Sequence, residues 1–336
     1  MNSISTSVYS ALQRRIALLL HSGVTWGWYA LLLFLSSHMS QAQQAPTAPK
    51  IEKPAKTCYL FASFRQNGED GLHLSWSNDA YTWHRLKNDV SFLVPTVGEQ
   101  KIMRDPCLYQ GPDGTFHLVW TTAWRGQTIG YSSSKDLVHW TPQVALPVMT
   151  DEPDCLYTWA PEVRYDPAQK NYLVYWSSAL KSEQKADSTG KLRHYARTYA
   201  VRTRDFKSFS KPTLFFNPGH AQIDASLLAD KGRYLLFYKY AYRGIAYAVA
   251  DNLAGPWRPV LPPFTTDDWE GPWPLKVGKD YLVFIDNFKS KSRMGAWRSS
   301  DLKTWIDVSS EVHFPVEQLH GSVLPVSGKL IEQLIH

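Results

Sequence analysis

The segment that decides the fold is IGYSSSKDLVHW at residues 129–140, which returns in altered form as MGAWRSSDLKTW at residues 294–305. In both copies a strand-like stretch leads to an Asp, and an aromatic residue follows four positions later. Asp79–Trp83 and Asp205–Phe209 keep this spacing, and Asp251–Trp257 has two extra residues. The segment therefore occurs five times, about every 50 residues, which is typical of a repeat architecture.

Each copy is the third member of a group of short apolar strands separated by turn residues such as Gly111-Pro112-Asp113-Gly114. Groups of four strands at this period predict an all-β, five-bladed β-propeller. The N-terminal group lacks its first strand, and residues 320–326 (HGSVLPV) supply a spare one. We therefore expect the C-terminal strand to pair with the N-terminal blade and close the ring. A β-sandwich is the alternative, although it does not explain five copies of one template.

The first 56 residues have a different character from the repeats. Arg14 and Arg15 precede the apolar stretches 16–20 and 29–35, and Ser40-Gln41-Ala42 has the small-x-small pattern of a cleavage site. We interpret residues 1–42 as a signal peptide, 43–56 as a Pro-, Ala- and Lys-rich linker, and 57–336 as the catalytic propeller. The expected location is secreted or periplasmic, without stable membrane insertion after cleavage. An uncleaved membrane anchor is the competing interpretation.

Charge and cysteine content narrow the class of function. Loss of residues 1–42 removes two Arg and no acid, which leaves 34 basic against 30 acidic residues, or +4. These charges are scattered, so no nucleic acid partner is expected. The three Cys have no metal-finger spacing, and buried free thiols are expected, with one disulfide as the alternative. Aromatic residues make up 14% of the chain, and they suit either sheet packing or a sugar-binding surface.

One ionisable residue stands at the start of the first strand of each predicted blade. These residues are Asp105, Glu162, Asp224, Glu270 and His320. Aligned in one register, they would all surround one mouth of the central channel. Such a ring suits structural capping, a calcium site, or acid–base catalysis by carboxylates with different pKa values.

The motifs around these residues resemble glycoside hydrolase family 43. They are Arg104-Asp105-Pro106, Trp159-Ala160-Pro161-Glu162, Ile223-Asp224-Ala225-Ser226, Glu270-Gly271-Pro272 and His320-Gly321. The resemblance covers residues 57 to 326 and implies a five-bladed propeller of inverting glycosidases that act on plant polysaccharides. Ala225 stands where the family usually has Pro, and Trp273-Pro274 follow the acid motif, which leaves the substrate open.

The resemblance implies roles for the acids. Asp105 would be the general base, Glu270 the general acid, and Asp224 the group that orients Glu270 and raises its pKa. Inversion requires the base and the acid to lie roughly 6.5–9.5 Å apart. Candidate substrate-binding residues are Trp159, Glu162, Trp269, Arg293 and His320, and packing between blades is the alternative for both Trp residues.

The expected function is an exo-acting α-L-arabinofuranosidase that binds a carbohydrate substrate as a monomer. β-Xylosidase, exo-galactanase and a non-catalytic sugar-binding propeller are the alternatives, and a protein-interaction propeller fits less well because the repeats diverge. No cofactor is expected to be required. A structural calcium ion near His320 is left open by the resemblance.

Overall fold

The computed structural model describes residues 52–186, 190, 192–289, 294–314 and 318–335. The predicted signal peptide and most of the predicted linker therefore lie outside the described residues. The strands, in chain order, are β1 (Thr57–Ser63), β2 (His73–Ser77), β3 (His84–Arg85), β4 (Arg104–Gln110), β5 (Phe116–Thr121), β6 (Ile129–Ser134), β7 (Val144–Leu146), β8 (Trp159–Asp166), β9 (Asn171–Ser178), β10 (Lys185–Ala186), β11 (Leu192–Arg193), β12 (Arg197–Thr203), β13 (Thr213–Phe216), β14 (Gln222–Asp230), β15 (Arg233–Tyr240), β16 (Gly244–Ala250), β17 (Arg258–Val260), β18 (Trp269–Val277), β19 (Asp280–Asn287), β20 (Met294–Ser299), β21 (Ile306–Asp307) and β22 (Ser322–Ser327).

Twenty of these strands form five four-stranded antiparallel sheets, which are the blades of a five-bladed β-propeller. Blade 1 has the order β22-β1-β2-β3. Blades 2 to 5 have the orders β4-β5-β6-β7, β8-β9-β12-β13, β14-β15-β16-β17 and β18-β19-β20-β21. The remaining pair, β10 and β11, is a short hairpin within blade 3. The predicted fold class is confirmed.

The ring closes as the sequence predicts. In blade 1, β22 pairs antiparallel with β1 from Thr57 opposite Ser327 to Ala62 opposite Ser322. The C-terminal strand thus becomes the innermost strand of the first blade, and β1 has no unpaired edge. An α-helix, α1 (Gly328–Ile335), follows and buries Ile331 and Leu334 against the same blade.

Apolar packing between the blades holds the ring together. The second strands of blades 2 to 5 are buried on almost every residue, since a neighbouring blade covers each face. One hydrophobic cluster contains Phe61, Val119, Val174 and Phe284, which come from four different blades. The innermost strands are therefore fixed by packing before any polar contact is counted.

The repeated Asp closes the turn after the third strand. Asp79 Oδ1 accepts hydrogen bonds from the backbone N–H groups of Tyr81 and Thr82, both at 2.8 Å, and Ala80, between Asp79 and Tyr81, has φ 69°. The three other copies that keep the spacing repeat this arrangement around Asp136, Asp205 and Asp301. An Asp side chain that satisfies two backbone donors explains why the motif recurs.

Two further sequence expectations concern the thiols and the membrane. Cys58, Cys107 and Cys155 are all buried and none of them forms a disulfide, as expected. Cys58 and Cys107 lie on strands, and Cys155 lies outside them. Within the described ranges, no helix has both the length and the apolar character that a membrane span requires.

We predict that Asp79→Ala lowers the free energy of unfolding by about 1 kcal/mol, because two backbone N–H groups lose a charged acceptor. Asp79→Asn, which keeps an acceptor oxygen, should restore part of this loss. Urea denaturation of the purified chain measures both values.

Asp251→Ala is the matched control, because Asp251 belongs to the divergent repeat and forms an exposed ion pair with Arg258 at 3.1 Å. A surface ion pair contributes little, so we expect a change below about 0.5 kcal/mol. Equal losses at the two positions would contradict the assigned role of the repeated turn.

Candidate active site

A β-bulge at the start of the innermost strand positions the acids. In blades 2 to 5 the pairing register shifts between Arg104 and Cys107, Trp159 and Glu162, Ile223 and Ser226, and Glu270 and Trp273. The first bulged residues are Asp105, Ala160, Asp224 and Gly271, with φ between 46° and 59°. This left-handed conformation is uncommon for residues other than Gly, and it turns the side chain out of the normal alternation.

The prediction that the ionisable residues share one register on their strands is wrong, because the acids take different positions relative to the bulges. Asp105 and Asp224 occupy equivalent bulge positions, whereas Glu270 lies one residue before the bulge residue Gly271, and Glu162 lies two residues after Ala160. Blade 5 needs Gly271 because a Cβ there would meet the ring of His320 at 2.5 Å. The acids therefore point to the channel from three different backbone positions.

The preceding blade braces the bulged segments of blades 3, 4 and 5, and also the segment that leads into β22 of blade 1. Thr121 Oγ1 of blade 2 accepts a hydrogen bond from Ala160 N of blade 3 at 2.8 Å, and Ser177 Oγ of blade 3 accepts one from Asp224 N at 3.0 Å. Asp286 Oδ2 of blade 5 accepts a bond from His320 N at 3.1 Å. In blade 4 the buried Lys239 donates to Trp269 O at 2.7 Å. All four bracing residues stand on the second strand of their blade, opposite its own bulge.

Five of the predicted site residues meet in one pocket at the channel mouth: Asp105, Trp159, Asp224, Glu270 and His320. The pocket has a volume of about 110 Å³, and it is lined by Arg104, Asp105, Thr121, Trp124, Trp159, Ile223, Asp224, Glu270 and His320. Asp105 comes from blade 2 and Glu270 from blade 5, with blade 1 between them in the ring. Asp224 of blade 4 is the direct neighbour of blade 5, and its Oδ2 accepts a bond from Gly271 N at 3.1 Å.

Asp105 is set up to be ionised. Burial opposes its charge, but the hydrogen bond and charge of His320, together with Arg104 and Thr121, outweigh burial and lower the pKa of Asp105. His320 Nδ1 lies 3.2 Å from Asp105 Oδ1, and Thr121 Oγ1 donates to Asp105 Oδ2 at 2.8 Å. The same contacts act on His320, whose pKa rises to about 9 despite its burial. At neutral pH the two groups form a buried ion pair.

Glu270 has the opposite tendency. Burial raises its pKa to about 8, and the nearby charges of Asp224 and Asp286 act in the same direction. Burial also raises the pKa of Asp224, which is partly offset by the charge of His320. Crowded carboxylates cannot all ionise, so Glu270 keeps its proton at neutral pH while Asp105 loses it.

Asp286 belongs to the site although the sequence interpretation missed it. It pairs directly with Glu270 across β18 and β19, it is buried, and it holds the backbone of His320. Its charge contributes to the raised pKa of both Glu270 and His320. The surrounding sequence YLVFIDNF (281–288) is that of an apolar strand, and a single Asp at its end was the only available signal.

The two Trp candidates differ in their positions relative to the pocket. Trp159 lines the pocket and stacks on Tyr157, with ring centroids 3.7 Å apart. Trp269 points to the opposite face of its strand from Glu270, is partly buried, and packs over Gly295 against an apolar cluster. Arg293 lies outside the described residues.

Glu162 lies deeper in the channel than the mouth pocket. Its carboxylate accepts a hydrogen bond from the Tyr175 hydroxyl and lies 3.2 Å from the Arg164 guanidinium. Burial raises its pKa, and the charge of Arg164 opposes that rise. Glu162 thus belongs to a buried ion pair below the pocket.

The residues around His320 do not fit a calcium site built from side chains. In the part of the chain that the structure describes, no group of three or more His, Cys, Asp or Glu residues is arranged to hold a metal ion. Asp105, the nearest carboxylate, is engaged by His320 and Thr121. No step derived below depends on a metal.

Comparison with known proteins supports the resemblance to glycoside hydrolases that the sequence motifs indicate. A glycoside hydrolase 43-related family model, described as "Probable glycosyl hydrolase domain", matches residues 55–332. The chain is 22% identical over 308 residues to an α-L-arabinofuranosidase of Bifidobacterium longum subsp. longum, and the match covers 74% of this chain and 29% of that protein. The chain therefore spans under a third of that relative's length. The crystal structure of a thermostable family-43 glycoside hydrolase shares the fold, with a TM-score of 0.56 at 14% identity, and the match covers 80% of this chain and 94% of that one.

We predict that Glu270→Gln makes the protein relatively more stable as pH rises from about 5 to 8. The pKa of Glu270 is about 8 in the folded state and near 4.5 ordinarily, so the native state holds an extra proton in this window. Its contribution therefore lowers the free energy of unfolding by up to about 1.4 kcal/mol per pH unit. Gln does not titrate, and denaturation at several pH values measures the difference between variant and wild type.

Glu99→Gln is the control for this measurement. The pKa of Glu99 is lowered because hydrogen bonds from Gln127, Thr128 and Thr122 outweigh its burial. Its stabilising effect is therefore complete above pH 5 and is lost only at more acidic pH. A difference for Glu270→Gln that stays as constant between pH 5 and 8 as that for Glu99→Gln would refute the raised pKa of Glu270.

Proposed function

The chain belongs to the glycoside hydrolase 43-related family, whose members are glycosidases, and we propose that it hydrolyses glycosidic bonds with inversion at the anomeric carbon. The observation that carries this proposal is the pair of opposite pKa shifts in one small pocket. Asp105 has a lowered pKa and Glu270 a raised one, which are the states that a general base and a general acid require at neutral pH.

In the proposed reaction, water attacks the anomeric carbon from the side of Asp105. Asp105 takes a proton from this water as the new C–O bond forms. Glu270 gives its proton to the glycosidic oxygen as the old C–O bond breaks, and the two acids then exchange protons with solvent. Inversion requires room for a water molecule between the base and the sugar, and blade 1 separates the blades that carry the two acids.

Asp224, Asp286 and His320 set the protonation states for this reaction. Asp224 and Asp286 make a negative charge on Glu270 costly, so Glu270 holds its proton until the leaving oxygen takes it. The hydrogen bond and charge of His320 lower the pKa of Asp105 and keep it as a carboxylate. The proposed base and acid are therefore tuned by different neighbours.

For the substrate, we propose an exo-acting α-L-arabinofuranosidase. The small volume of the mouth pocket supports binding of one terminal sugar unit rather than a through-running chain. β-Xylosidase and exo-galactanase activities are the alternatives on the same geometry. The predicted signal peptide would bring the enzyme, as a monomer, to carbohydrate substrates outside the cytoplasm, and no cofactor enters the proposal.

The first test incubates the purified chain with 4-nitrophenyl α-L-arabinofuranoside, β-D-xylopyranoside and β-D-galactopyranoside, and with arabinoxylan, arabinan and galactan. We expect one terminal sugar to be released. NMR should show that the anomer formed first has the inverted configuration at the anomeric carbon. Asp105→Asn should lower kcat/KM by roughly 10²–10⁴ on every substrate. Glu270→Gln should be most damaging on natural glycans, because a nitrophenolate leaves without a proton. Sugar binding without release by the wild type would favour the non-catalytic propeller.

We predict that Asp286→Asn moves the basic limb of the pH profile of kcat/KM to lower pH by at least about 0.5 unit. Activity requires protonated Glu270 and falls as pH rises through its pKa of about 8. Loss of the Asp286 charge lowers that pKa by an amount that corresponds to about 0.7 kcal/mol. Asp280→Asn, at the other end of the same strand, is the control and should leave the limb in place. A lower kcat without a moved limb would show that Asp286 acts only on structure.

A further inference from the structure

A second, larger cavity opens beside the mouth pocket. It has a volume of about 510 Å³ and shares Trp159, Ile223 and Glu270 with the pocket. Its other lining residues come from blades 3, 4 and 5, and Asp105 and His320 are not among them. We call this cavity the outer cleft. If Glu270 protonates the glycosidic oxygen, the group attached to that oxygen leaves along the outer cleft, because Glu270 lies on the border of both spaces.

Two aromatic side chains stand exposed in the outer cleft. Tyr242 is 59% exposed and Phe288 is 41% exposed, although most large apolar side chains of the described residues are buried. Tyr242 occupies the turn between β15 and β16 with φ 63°, which is a strained backbone conformation, and its side chain lines the outer cleft. Exposure of this kind costs solvation free energy and is typical of binding surfaces.

Cations lie against both rings. The Arg193 guanidinium is 5.0 Å from the ring centroid of Tyr242, and Lys239 Nζ is 5.5 Å from that of Phe288. Lys239 is itself held by Asp267 and by Trp269 O. A cation on one face restrains each ring and leaves the remaining exposed surface for a ligand.

The chemistry of these rings selects a type of sugar. A pyranose presents a broad, flat face of C–H groups, which packs well on an aromatic ring, whereas the puckered furanose offers a smaller face. We propose that Tyr242 and Phe288 form a binding site for a pyranose residue of the leaving glycan, so that the enzyme removes branch sugars from a pyranose backbone. This inference rests on the proposed function, because it takes Glu270 as the general acid.

The test compares two substrates that release the same sugar. One is xylotriose with a single α-L-arabinofuranosyl branch, whose leaving group is a pyranose chain. The other is linear α-1,5-arabinotriose, whose leaving group is made of furanoses. We expect Tyr242→Ala and Phe288→Ala each to lower kcat/KM at least tenfold on the branched substrate, mainly through KM, and less than threefold on arabinotriose.

Leu214→Ala is the matched control, because Leu214 is a similarly exposed apolar residue on the outer strand of blade 3. It should change neither value. Equal losses on both substrates for the Tyr242 and Phe288 variants, or no loss on either, would overturn the pyranose site. Thermal denaturation of each variant excludes a general loss of structure.

A separate measurement keeps the site testable if the wild type hydrolyses none of these substrates, an outcome that would reject the proposed function. Calorimetry then measures xylotriose binding to the Glu270→Gln chain, with and without Tyr242→Ala. Binding that weakens at least tenfold with Tyr242→Ala supports the site. Binding that is absent, or unaffected by the second change, refutes it.

Discussion

The arrangement on which the rest of the site depends is the left-handed bulge at the start of the innermost strand of blades 2 to 5. In blades 3 to 5 a side chain of the preceding blade braces this segment. A bulge with φ near 50° at Asp105 and Asp224 costs on the order of 1–3 kcal/mol for a residue with a side chain. It persists because the surrounding ring over-determines it. Thr121, Ser177, Lys239 and Asp286 each link one blade to the next, so the bulges of blades 3 to 5 cannot relax without disturbing two blades. At the bulge of blade 2, the link to blade 1 is the contact between Asp105 and His320.

This construction also explains the electrostatics. The braces bring buried carboxylates close together where little water can screen them, and each group then takes the state that its neighbours allow. Asp286 shows how structural and chemical roles merge in one residue. The oxygen that holds His320 N also places a negative charge opposite Glu270. A substitution of Asp286 therefore affects both the support of the His320 backbone and the protonation of Glu270.

The blade count and the ring closure were predictable because they depend on spacing and on a missing strand, both of which are visible in sequence. The order of motifs also placed Asp105, Asp224, Glu270 and His320 around one pocket. The prediction of a common register for the ionisable residues was wrong because a bulge inserts one residue into the strand. The side chains after the insertion then point to the opposite face of the sheet, and no residue pattern marks a bulge reliably. Trp269 precedes the bulge and faces the opposite side from Glu270 by the ordinary alternation of a strand, which brings it against the cluster between blades 4 and 5. Tyr242 and Asp286 were missed because a turn aromatic and a strand-end Asp look ordinary until the ring closes around them.

Different blades therefore contribute the base side and the leaving-group side of the proposed active site. Blades 1 and 2 contribute the His320–Asp105 ion pair, which is buried and braced on several sides. Blades 3 to 5 contribute the outer cleft, in which Tyr242 stands on a turn and Phe288 follows the end of β19, both with exposed side chains. A change at Tyr242 or Phe288 alters only exposed surface, while a change at Asp105 leaves His320 as an unpaired buried cation. The leaving-group side can therefore vary between relatives at little cost in stability, whereas the base side cannot.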